Sequence, residues 1–379
     1  MQGRSPKRIS ELRYSKLSLT RHKDLFISLS QLICFESRIA MTNPIDALLA
    51  EKGVLLADGA TGTNLFNMGL ESGEAPELWN ETAPEKITAL HQNFVDAGAD
   101  IILTNSFGGT RQRLKLHNAQ DRVHELNKRA AEIAKSVADK AGRKVIVAGS
   151  VGPTGELLEP LGAMTYGEAV DAFAEQIAGL KEGGAEIAWI ETMSAPAEAK
   201  AAAEAAVRVG LPYTYTFSFD TAGRSMMGLA PKDVHHVADG LSEKAVAVGA
   251  NCGVGAPDIL SSLLDMSAAK PDATIIVKGN CGIPEFRGTE IHYSGTPELM
   301  SDYVRLAVNA GAKIVGGCCG TSFAHLAAMR KALDSHVKAE RPTVETIVER
   351  IGPLRNKTAD KSGAGAEGGE GRRERRRRA

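Results

Sequence analysis

The sequence predicts an α/β protein whose fold is a (β/α)8 barrel. Eight short apolar runs alternate with segments of helical periodicity between Val54 and about Thr321. The runs are apolar throughout, which is typical of parallel strands covered on both faces. A short loop of one kind also recurs before several of the runs, and a repeated loop indicates a repeated βα unit.

The eight runs are the candidate barrel strands. In chain order they occupy residues 54–58, 101–105, 145–149, 187–191, 213–219, 245–250, 274–278 and 313–317. The segments between them carry helix signals, so we expect strands and helices to alternate along the chain.

The segment after the first run illustrates these helix signals. Residues 82–85 (Thr-Ala-Pro-Glu) match a capping box with proline in the first turn, which predicts a helix start. Ile87, Leu90 and Phe94 then follow at helical spacing. We expect the helix to stop at Gly98.

The recurring loop contains a glycine and leads straight into an apolar run. Gly98, Gly184 and Gly311 each precede an alanine, a charged residue and an isoleucine. Each is predicted to be a glycine that ends a helix and turns the chain into a strand.

An open, doubly wound sheet is the alternative to a barrel. Such a sheet usually carries a G-x-G-x-x-G phosphate loop after its first strand. Residues 58–63 read D-G-A-T-G-T and lack that spacing. The barrel is therefore the preferred prediction, and a barrel carries its chemistry at the C-terminal ends of its strands.

The composition excludes several classes of function. The 379 residues are 43% hydrophobic and 24% charged, with a net charge of -1, so no overall field attracts nucleic acid or a membrane surface. No apolar run reaches the roughly 18 residues of a transmembrane helix. Five cysteines, an odd number in a long chain, argue against a disulfide scaffold and for a cytoplasmic protein. A homo-oligomer is compatible with the sequence, although no interface pattern stands out.

Both ends of the chain are predicted to lie outside the barrel, which we expect to occupy residues 41–340. Residues 1–40 mix basic residues with interrupted apolar stretches and match a secretory signal poorly. We expect them to be a non-native or disordered extension, with translation starting at Met41. Residues 341–379 form a C-terminal extension whose basic end, from about 357, is expected to be a disordered tail.

Polar residues and cysteines stand where the predicted strands end. Asp58, Asn105 and Glu191 close the first, second and fourth strands. Cys252 follows the sixth strand, and residues 318–319 (Cys-Cys) follow the eighth. In a barrel these ends meet at one rim. The acidic side chains there would bind an ammonium group or, alternatively, cap the following helices.

Three thiols at one rim indicate a zinc site. Zinc prefers thiolate and imidazole ligands, and a catalytic site leaves the fourth position of the tetrahedron open. The glycines beside Cys318 and Cys319 give both residues the backbone freedom to reach one ion. The alternatives are a structural zinc with His292 or Cys281 as fourth ligand, a vicinal disulfide, or simple burial of the thiols. Cys281 is expected to be a packing residue.

Five segments together resemble the homocysteine S-methyltransferase family, which includes betaine–homocysteine methyltransferases and the homocysteine domain of cobalamin-dependent methionine synthase. The segments are 56–62 (LADGATG), 104–107 (TNSF), 149–153 (GSVGP), 251–253 (NCG) and 316–321 (GGCCGT). The resemblance covers about Ile45 to Leu333, and the two cysteine motifs carry most of its specificity.

The resemblance implies a barrel enzyme that moves a methyl group onto the sulfur of homocysteine. It implies that Cys252, Cys318 and Cys319 are the zinc ligands and act in catalysis through the metal. It also implies that Asp58 and Glu191 hold the homocysteine amino group.

Further substrate-binding candidates are Gly59 and Asn105, which lie in the matching motifs, and Trp79. Trp79 resembles the tryptophan of the aromatic cage that betaine-type enzymes use to bind a quaternary ammonium. The tyrosines expected in that cage are missing, since residues 108–109 are glycines and Thr192 holds the other place. That departure favours S-methylmethionine or a methyl-corrinoid protein as the methyl donor.

The sequence thus predicts zinc-dependent methyl transfer to L-homocysteine, forming L-methionine, from betaine or another methylated compound. The alternative is the homocysteine-activating subunit of a split cobalamin-dependent methionine synthase, which receives the methyl group from a separate corrinoid protein. A third hypothesis is a barrel with a structural zinc that acts on another substrate.

Overall fold

The computed structural model of this chain describes residues 43–282, 284–287 and 290–356. The extension predicted at 1–40, with its start at Met41, and the tail predicted from about 357 lie outside these residues.

Eight parallel strands form the central sheet and confirm the predicted (β/α)8 barrel. The ten strands in chain order are β1 Leu55–Leu56, β2 Ile101–Leu103, β3 Ile146–Val151, β4 Ile187–Met193, β5 Tyr213–Phe217, β6 Ala247–Cys252, β7 Ile275–Gly279, β8 Pro284–Arg287, β9 Glu290–Tyr293 and β10 Ile314–Gly317. Strands β2 to β7 pair in sequence, and β10 lies between β7 and β1. A parallel bridge between Ala57 and Ile101 joins β1 to β2 and closes the ring. All eight predicted runs are barrel strands.

The described part of the chain contains twelve α-helices. They are α1 Pro44–Lys52, α2 Thr61–Asn67, α3 Trp79–Thr82, α4 Pro84–Asp96, α5 Arg111–Lys115, α6 Val123–Ala138, α7 Tyr166–Glu182, α8 Pro196–Val209, α9 Ala256–Ala269, α10 Pro297–Asn309, α11 Phe323–Asp334 and α12 Val344–Ile351. The connection from β5 to β6 departs from the repeat, because it holds a 3-10 turn (Pro231–His236) in place of an α-helix. No helix in the described residues is long and apolar enough to cross a membrane.

Helix α4 begins at Pro84 as predicted, but the capping box expected at Thr82 is wrong. The residue that caps α4 is Ala83, which offers no side-chain hydrogen bond. Thr82 is the last residue of α3, and its hydroxyl donates to the carbonyl of Leu78 one turn earlier. Because the N-cap position falls on Ala83, one residue after Thr82, the hydroxyl that a capping box requires is not at the cap.

The glycines of the recurring loop adopt the conformation that the sequence predicted. Gly98, Gly184 and Gly311 have φ angles of 98°, 100° and 107°. Side chains other than glycine's rarely tolerate this region. Each glycine therefore ends its helix and redirects the chain into the next strand.

The strands are buried on both faces, as continuous apolar runs require. Leu55, Ile101 and Ile146 point into the barrel, and Ile45 of α1 packs with this interior group. Their neighbours along the strands, such as Leu56, belong to a larger cluster shared with the helices. Because both faces are filled by apolar side chains, the polar groups of the site are confined to the strand ends.

Two elements were not foreseen from the sequence. Strands β8 and β9 form an antiparallel hairpin between β7 and α10. Helix α12 lies beyond the predicted barrel limit at residue 340, yet it packs against α9 and α10 and buries Ile347 and Ile351. Its amphipathic pattern is short, so only tertiary contacts make its burial evident.

A substitution at Gly249 of β6 tests how closely β6 and β7 approach each other. A Cβ at this position would lie 1.9 Å from the carbonyl oxygen of Ile276 on β7, so a methyl group cannot fit without moving a strand. We expect Gly249→Ala to lower the free energy of unfolding by about 2–3 kcal/mol or more, measured by urea denaturation.

The matched control is Gly167→Ala in the first turn of α7. A Cβ there meets nothing within 4 Å, and alanine favours the helix. Its stability should equal or slightly exceed that of the parent. Equal stability of the two variants would contradict the close approach of β6 and β7.

Candidate functional site

The C-terminal ends of the barrel strands surround one cavity of about 360 Å³. The predicted site residues that line it are Gly59, Asn105, Glu191, Cys252, Cys318 and Cys319. They come from both halves of the chain, and the closed sheet brings them together. Asp58 and Trp79 are not among the residues that line the cavity.

The three predicted metal ligands form one cluster. The Sγ atoms of Cys252, Cys318 and Cys319 all lie within 4.8 Å of one another, and those of Cys252 and Cys319 are 3.9 Å apart. Thiolates bound to one tetrahedral zinc at about 2.3 Å would be separated by about 3.8 Å. The cluster therefore has the spacing of three ligands to a single ion.

Backbone geometry at the ends of β6 and β10 creates this cluster. Cys252 has a φ of 60°, in the left-handed region that few non-glycine residues adopt. This conformation ends the alternation of side chains along β6. The N–H of Cys318 donates to the carbonyl of Gly279, and the carbonyl of Cys319 accepts from the N–H of Cys281. Strand β7 and the loop after it thus hold the cysteine pair in place.

The cluster favours a thiolate at Cys319, whereas hydrogen bonds with neighbouring thiols and burial raise the pKa values of Cys252 and Cys318. Hydrogen bonds from Cys252 and then Cys318 lower the pKa of Cys319 to about 3, and the Tyr293 hydroxyl hydrogen-bonds the same sulfur. Thiolate is the form in which cysteine binds a metal. Tyr293 was missed from the sequence because it lies in the unforeseen hairpin.

Cys281 is a packing residue, as expected. It is fully buried in the core cluster, and burial raises the pKa of its thiol to about 12. It does not belong to the cluster of candidate ligands found among the described residues. Cys318 and Cys319 are free thiols and form no vicinal disulfide. The other suggested fourth ligand, His292, lies outside the described side chains.

Asp58 is buried and bound to a lysine that sequence reasoning missed. Its Oδ1 accepts from the Lys278 Nζ at 2.7 Å, and its Oδ2 accepts from the N–H of Leu103 at 2.7 Å. Burial raises the pKa of Asp58, and the Lys278 ammonium opposes that rise. A lysine at the end of an otherwise apolar strand was the signal that could have identified Lys278.

Glu191 is the second buried acid of the cavity. Its Oε1 accepts from the hydroxyl of Ser150 at 2.5 Å. Burial raises the pKa of this carboxyl to about 7, although Lys278 opposes the shift. Near neutral pH the group therefore exchanges readily between its two charge states. Its role in binding an ammonium group stays a prediction.

Two further candidates shape the wall of the cavity. A Cβ on Gly59 would lie 2.7 Å from the Thr321 carbonyl oxygen, so only glycine allows this close approach. The side-chain amide of Asn105 donates to the carbonyl of Pro76 and to Asn80 Oδ1. These contacts hold the segment before α3 against the rim.

Trp79 lies in the hydrophobic core, 8% exposed. The Lys86 Nζ lies 4.2 Å from the centre of its ring. Phe107 lines the cavity instead and is 38% exposed. Phe107 is therefore the one Phe, Tyr or Trp among the described lining residues, and these residues form no cage of several such rings.

Glu77, a further carboxylate that lines the cavity, was also missed. It is 6% exposed and accepts from the N–H of Gly108 at 2.6 Å. Burial raises its pKa, while Arg113 and His117 favour the charged form. The lining of the cavity thus includes the ionisable residues Glu77, Arg113 and His117 in addition to the three thiols.

Comparison with known proteins shows which family this chain resembles. Residues 55–333 match the family model for homocysteine S-methyltransferases. Two curated relatives are the methionine synthases of Mycobacterium tuberculosis (strain ATCC 25618 / H37Rv) and Mycobacterium leprae (strain TN), both 29% identical. The matches cover 82% and 72% of this chain but 27% and 24% of the relatives. The chain thus spans about a quarter of their length.

Solved structures of a homocysteine methyltransferase have the same fold. The oxidised form of MmuM from Escherichia coli is 25% identical, with a TM-score of 0.63, and the match covers 76% of this chain and 99% of that one. Its metallated form is 24% identical, with a TM-score of 0.64 and the same coverage.

The cysteine cluster predicts a bound metal ion, and one substitution in the cluster should abolish its binding. Cys319→Ala leaves two thiols, too few to hold an ion firmly, so bound metal should fall from about one ion per chain to near zero. The measurement is elemental analysis after dialysis. Cys281→Ala is the matched control and should keep the full metal content. A metal-replete Cys319→Ala protein would contradict the assignment.

The raised pKa of Glu191 predicts that the free energy of unfolding of the metal-free protein depends on pH. The Glu191 pKa of about 7, against a usual value of 4.5, means that the folded state retains a proton that the unfolded chain releases. This contribution to stability is complete below about pH 4.5 and is lost as the pH rises to 7. Glu191→Gln should therefore make the free energy of unfolding fall less over that range in urea denaturation.

The control for that experiment is Glu156→Gln, a change at an exposed side chain. It should leave the pH dependence as in the parent. If Glu191→Gln also leaves it unchanged, the proposed protonation of the buried carboxyl is incorrect.

Proposed function

This chain belongs to the homocysteine S-methyltransferase family, and we propose that it transfers a methyl group to the thiol of L-homocysteine with the help of zinc. The product is L-methionine. The observation that carries the proposal is the three-thiol cluster, which opens into the same cavity as the charged groups Glu191 and Lys278.

Zinc is the metal that suits this donor set. Three thiolates are soft ligands, and three protein ligands leave one tetrahedral position for a substrate. A zinc ion held by these thiolates would favour the deprotonated form of a substrate thiol at the open position and would keep its sulfur in a fixed place. Cys252, Cys318 and Cys319 would be its protein ligands.

The protein's own groups then bind and orient the reactants. Glu191 attracts the substrate ammonium, and Leu103 adds an apolar side chain to the lining of the cavity. A sulfur lone pair forms the new S–CH3 bond as the bond between methyl and donor breaks. The donor leaves with that electron pair, and the thiol proton passes to solvent. No protein atom is methylated.

For the donor we propose a small methylated onium compound such as betaine or S-methylmethionine. The support is that the Glu77 carboxylate and the Phe107 ring both line the cavity. A carboxylate attracts a cation, and an aromatic face adds to that attraction. With Trp79 in the core, this is not the several-ringed cage of betaine-type enzymes.

A second candidate is the homocysteine-activating subunit of a split methionine synthase. The similarity to about a quarter of the mycobacterial methionine synthases supports it. In that case a separate corrinoid protein delivers the methyl group to the open cavity. We also propose that the chain works in the cytoplasm, because its site requires reduced thiols. A homo-oligomeric state stays a prediction.

A donor screen tests the function. Zinc-loaded full-length chain is incubated with homocysteine and, separately, betaine, S-methylmethionine or methylcobalamin, and methionine is quantified by mass spectrometry. We expect turnover with an onium donor, at least 100-fold lower activity for Cys319→Ala because the metal is lost, and near-parent activity for Cys281→Ala.

The outcomes separate the candidates. Turnover with methylcobalamin alone would favour the corrinoid-dependent subunit. Onium-dependent activity that survives removal of the metal would reject the zinc-dependent scheme. If addition of homocysteine also leaves the spectrum of the cobalt-substituted protein unchanged, the hypothesis of a structural zinc is favoured over zinc-dependent methyl transfer.

A further inference from the structure

Lys278 presents an ammonium group to the cavity. It lines the cavity although it is only 2% exposed. A Cβ on Gly316 would lie 3.0 Å from the Lys278 Cγ, so the glycine leaves room for the lysine stem. The Nζ lies 5.9 Å from the centre of the Trp189 ring. The charged end is thus held at the inner wall, among groups of the site.

Both oxygens of Asp58 are already hydrogen-bonded within the protein. One oxygen accepts from Lys278 and the other from the N–H of Leu103. Asp58 also lies outside the cavity lining, whereas Lys278 belongs to it. The ammonium that Asp58 binds is therefore supplied by the protein itself.

Lys278 has hydrogen-bonding capacity to spare. An ammonium has three donors, and within the described part of the chain its hydrogen-bond acceptor is Asp58. Burial alone would lower the pKa of Lys278, but Asp58 and Glu191 raise it above the usual value. The group stays charged and keeps donors that can turn towards a ligand.

The charges that face the cavity suit an amino acid in its zwitterionic form. Lys278 supplies a cation and Glu191 an anion, and both line the cavity that holds the three thiols. Resting on the proposed function, we propose that Lys278 binds the α-carboxylate of the thiol amino acid while Glu191 binds its ammonium. Asp58 is then a positioning residue that orients Lys278.

This assignment differs from a purely structural role for the ion pair. If Lys278 only neutralises Asp58, its loss weakens the binding of every thiol alike, through disturbance of the wall. If Lys278 binds a carboxylate, its loss weakens only ligands that carry one. Analogues of homocysteine that lack one charged group distinguish the two cases.

The test measures dissociation constants by calorimetry on the zinc-loaded full-length chain. The ligands are homocysteine, 4-mercaptobutyrate, which lacks the amino group, and 3-aminopropane-1-thiol, which lacks the carboxylate. For Lys278→Met we expect roughly 10- to 100-fold weaker binding of the first two ligands. Binding of the aminothiol should change less than about twofold, because it has no carboxylate to lose a contact.

Two further variants complete the design. Asp58→Asn combined with Lys278→Met removes both buried charges, so an unpaired Asp58 cannot disturb the fold, and it should show the same ligand pattern. Glu191→Gln should show the opposite pattern and weaken homocysteine and the aminothiol only.

The outcomes are distinct. Equal weakening of all three ligands in the double variant, or a loss confined to the aminothiol, would overturn the role of Lys278. Failure of all three thiols to bind the parent protein would instead refute the proposed function.

Discussion

The site depends on the register of four adjacent strands, β6, β7, β10 and β1. Cys252 pairs with Gly279 across β6 and β7, and Gly279 pairs with Gly317 across β7 and β10. The N–H of Gly317 then donates to the carbonyl of Asp58. One continuous row of backbone contacts thus fixes the ends of all four strands at the same level. A slip of one residue in any pairing would turn side chains to the opposite face and disperse the cluster.

Charge balance is the second constraint on this cavity. Asp58, Glu191 and the three thiols are acidic groups that carry negative charge when they lose a proton, and unpaired buried charge is costly. Lys278 is the buried cation that offsets part of it. Burial raises the pKa of Glu191, whereas the carboxylates of Asp58 and Glu191 raise the pKa of Lys278 against the effect of burial. Buried ionisable groups with perturbed pKa values are typical of functional sites, and here they stand beside the metal-ligand cluster.

Local hydrogen bonds add rigidity around this charged centre. Asn251 accepts from the N–H of Thr192 and from the hydroxyl of Thr216, and its amide donates to Thr192 Oγ1. The same amide lies 3.9 Å from Cys318 Sγ. Asn251 therefore links the ends of β4, β5 and β6 to one of the thiols. Thr192 has a φ of 59°, and a strained residue of this kind persists only where its surroundings hold it.

The sequence by itself determined the barrel, its eight strands and the residues that end them. Apolar strands buried on both faces, and glycines such as Gly98 that require a positive φ, are local properties that the sequence displays directly. The absence of a G-x-G-x-x-G loop after the first strand favoured a closed barrel over an open sheet, so the convergence of Cys252 with Cys318 was predictable from the sequence.

Only the tertiary structure decided which groups face the cavity and which partners they have. The pairing of Asp58 with Lys278 joins residues 220 positions apart, and no local pattern encodes it. The burial of Trp79 in the core and the hairpin that brings Tyr293 to Cys319 are of the same kind. Such contacts depend on packing and register across the whole sheet, because side-chain orientation at a strand end is set by its neighbours and not by the sequence around it.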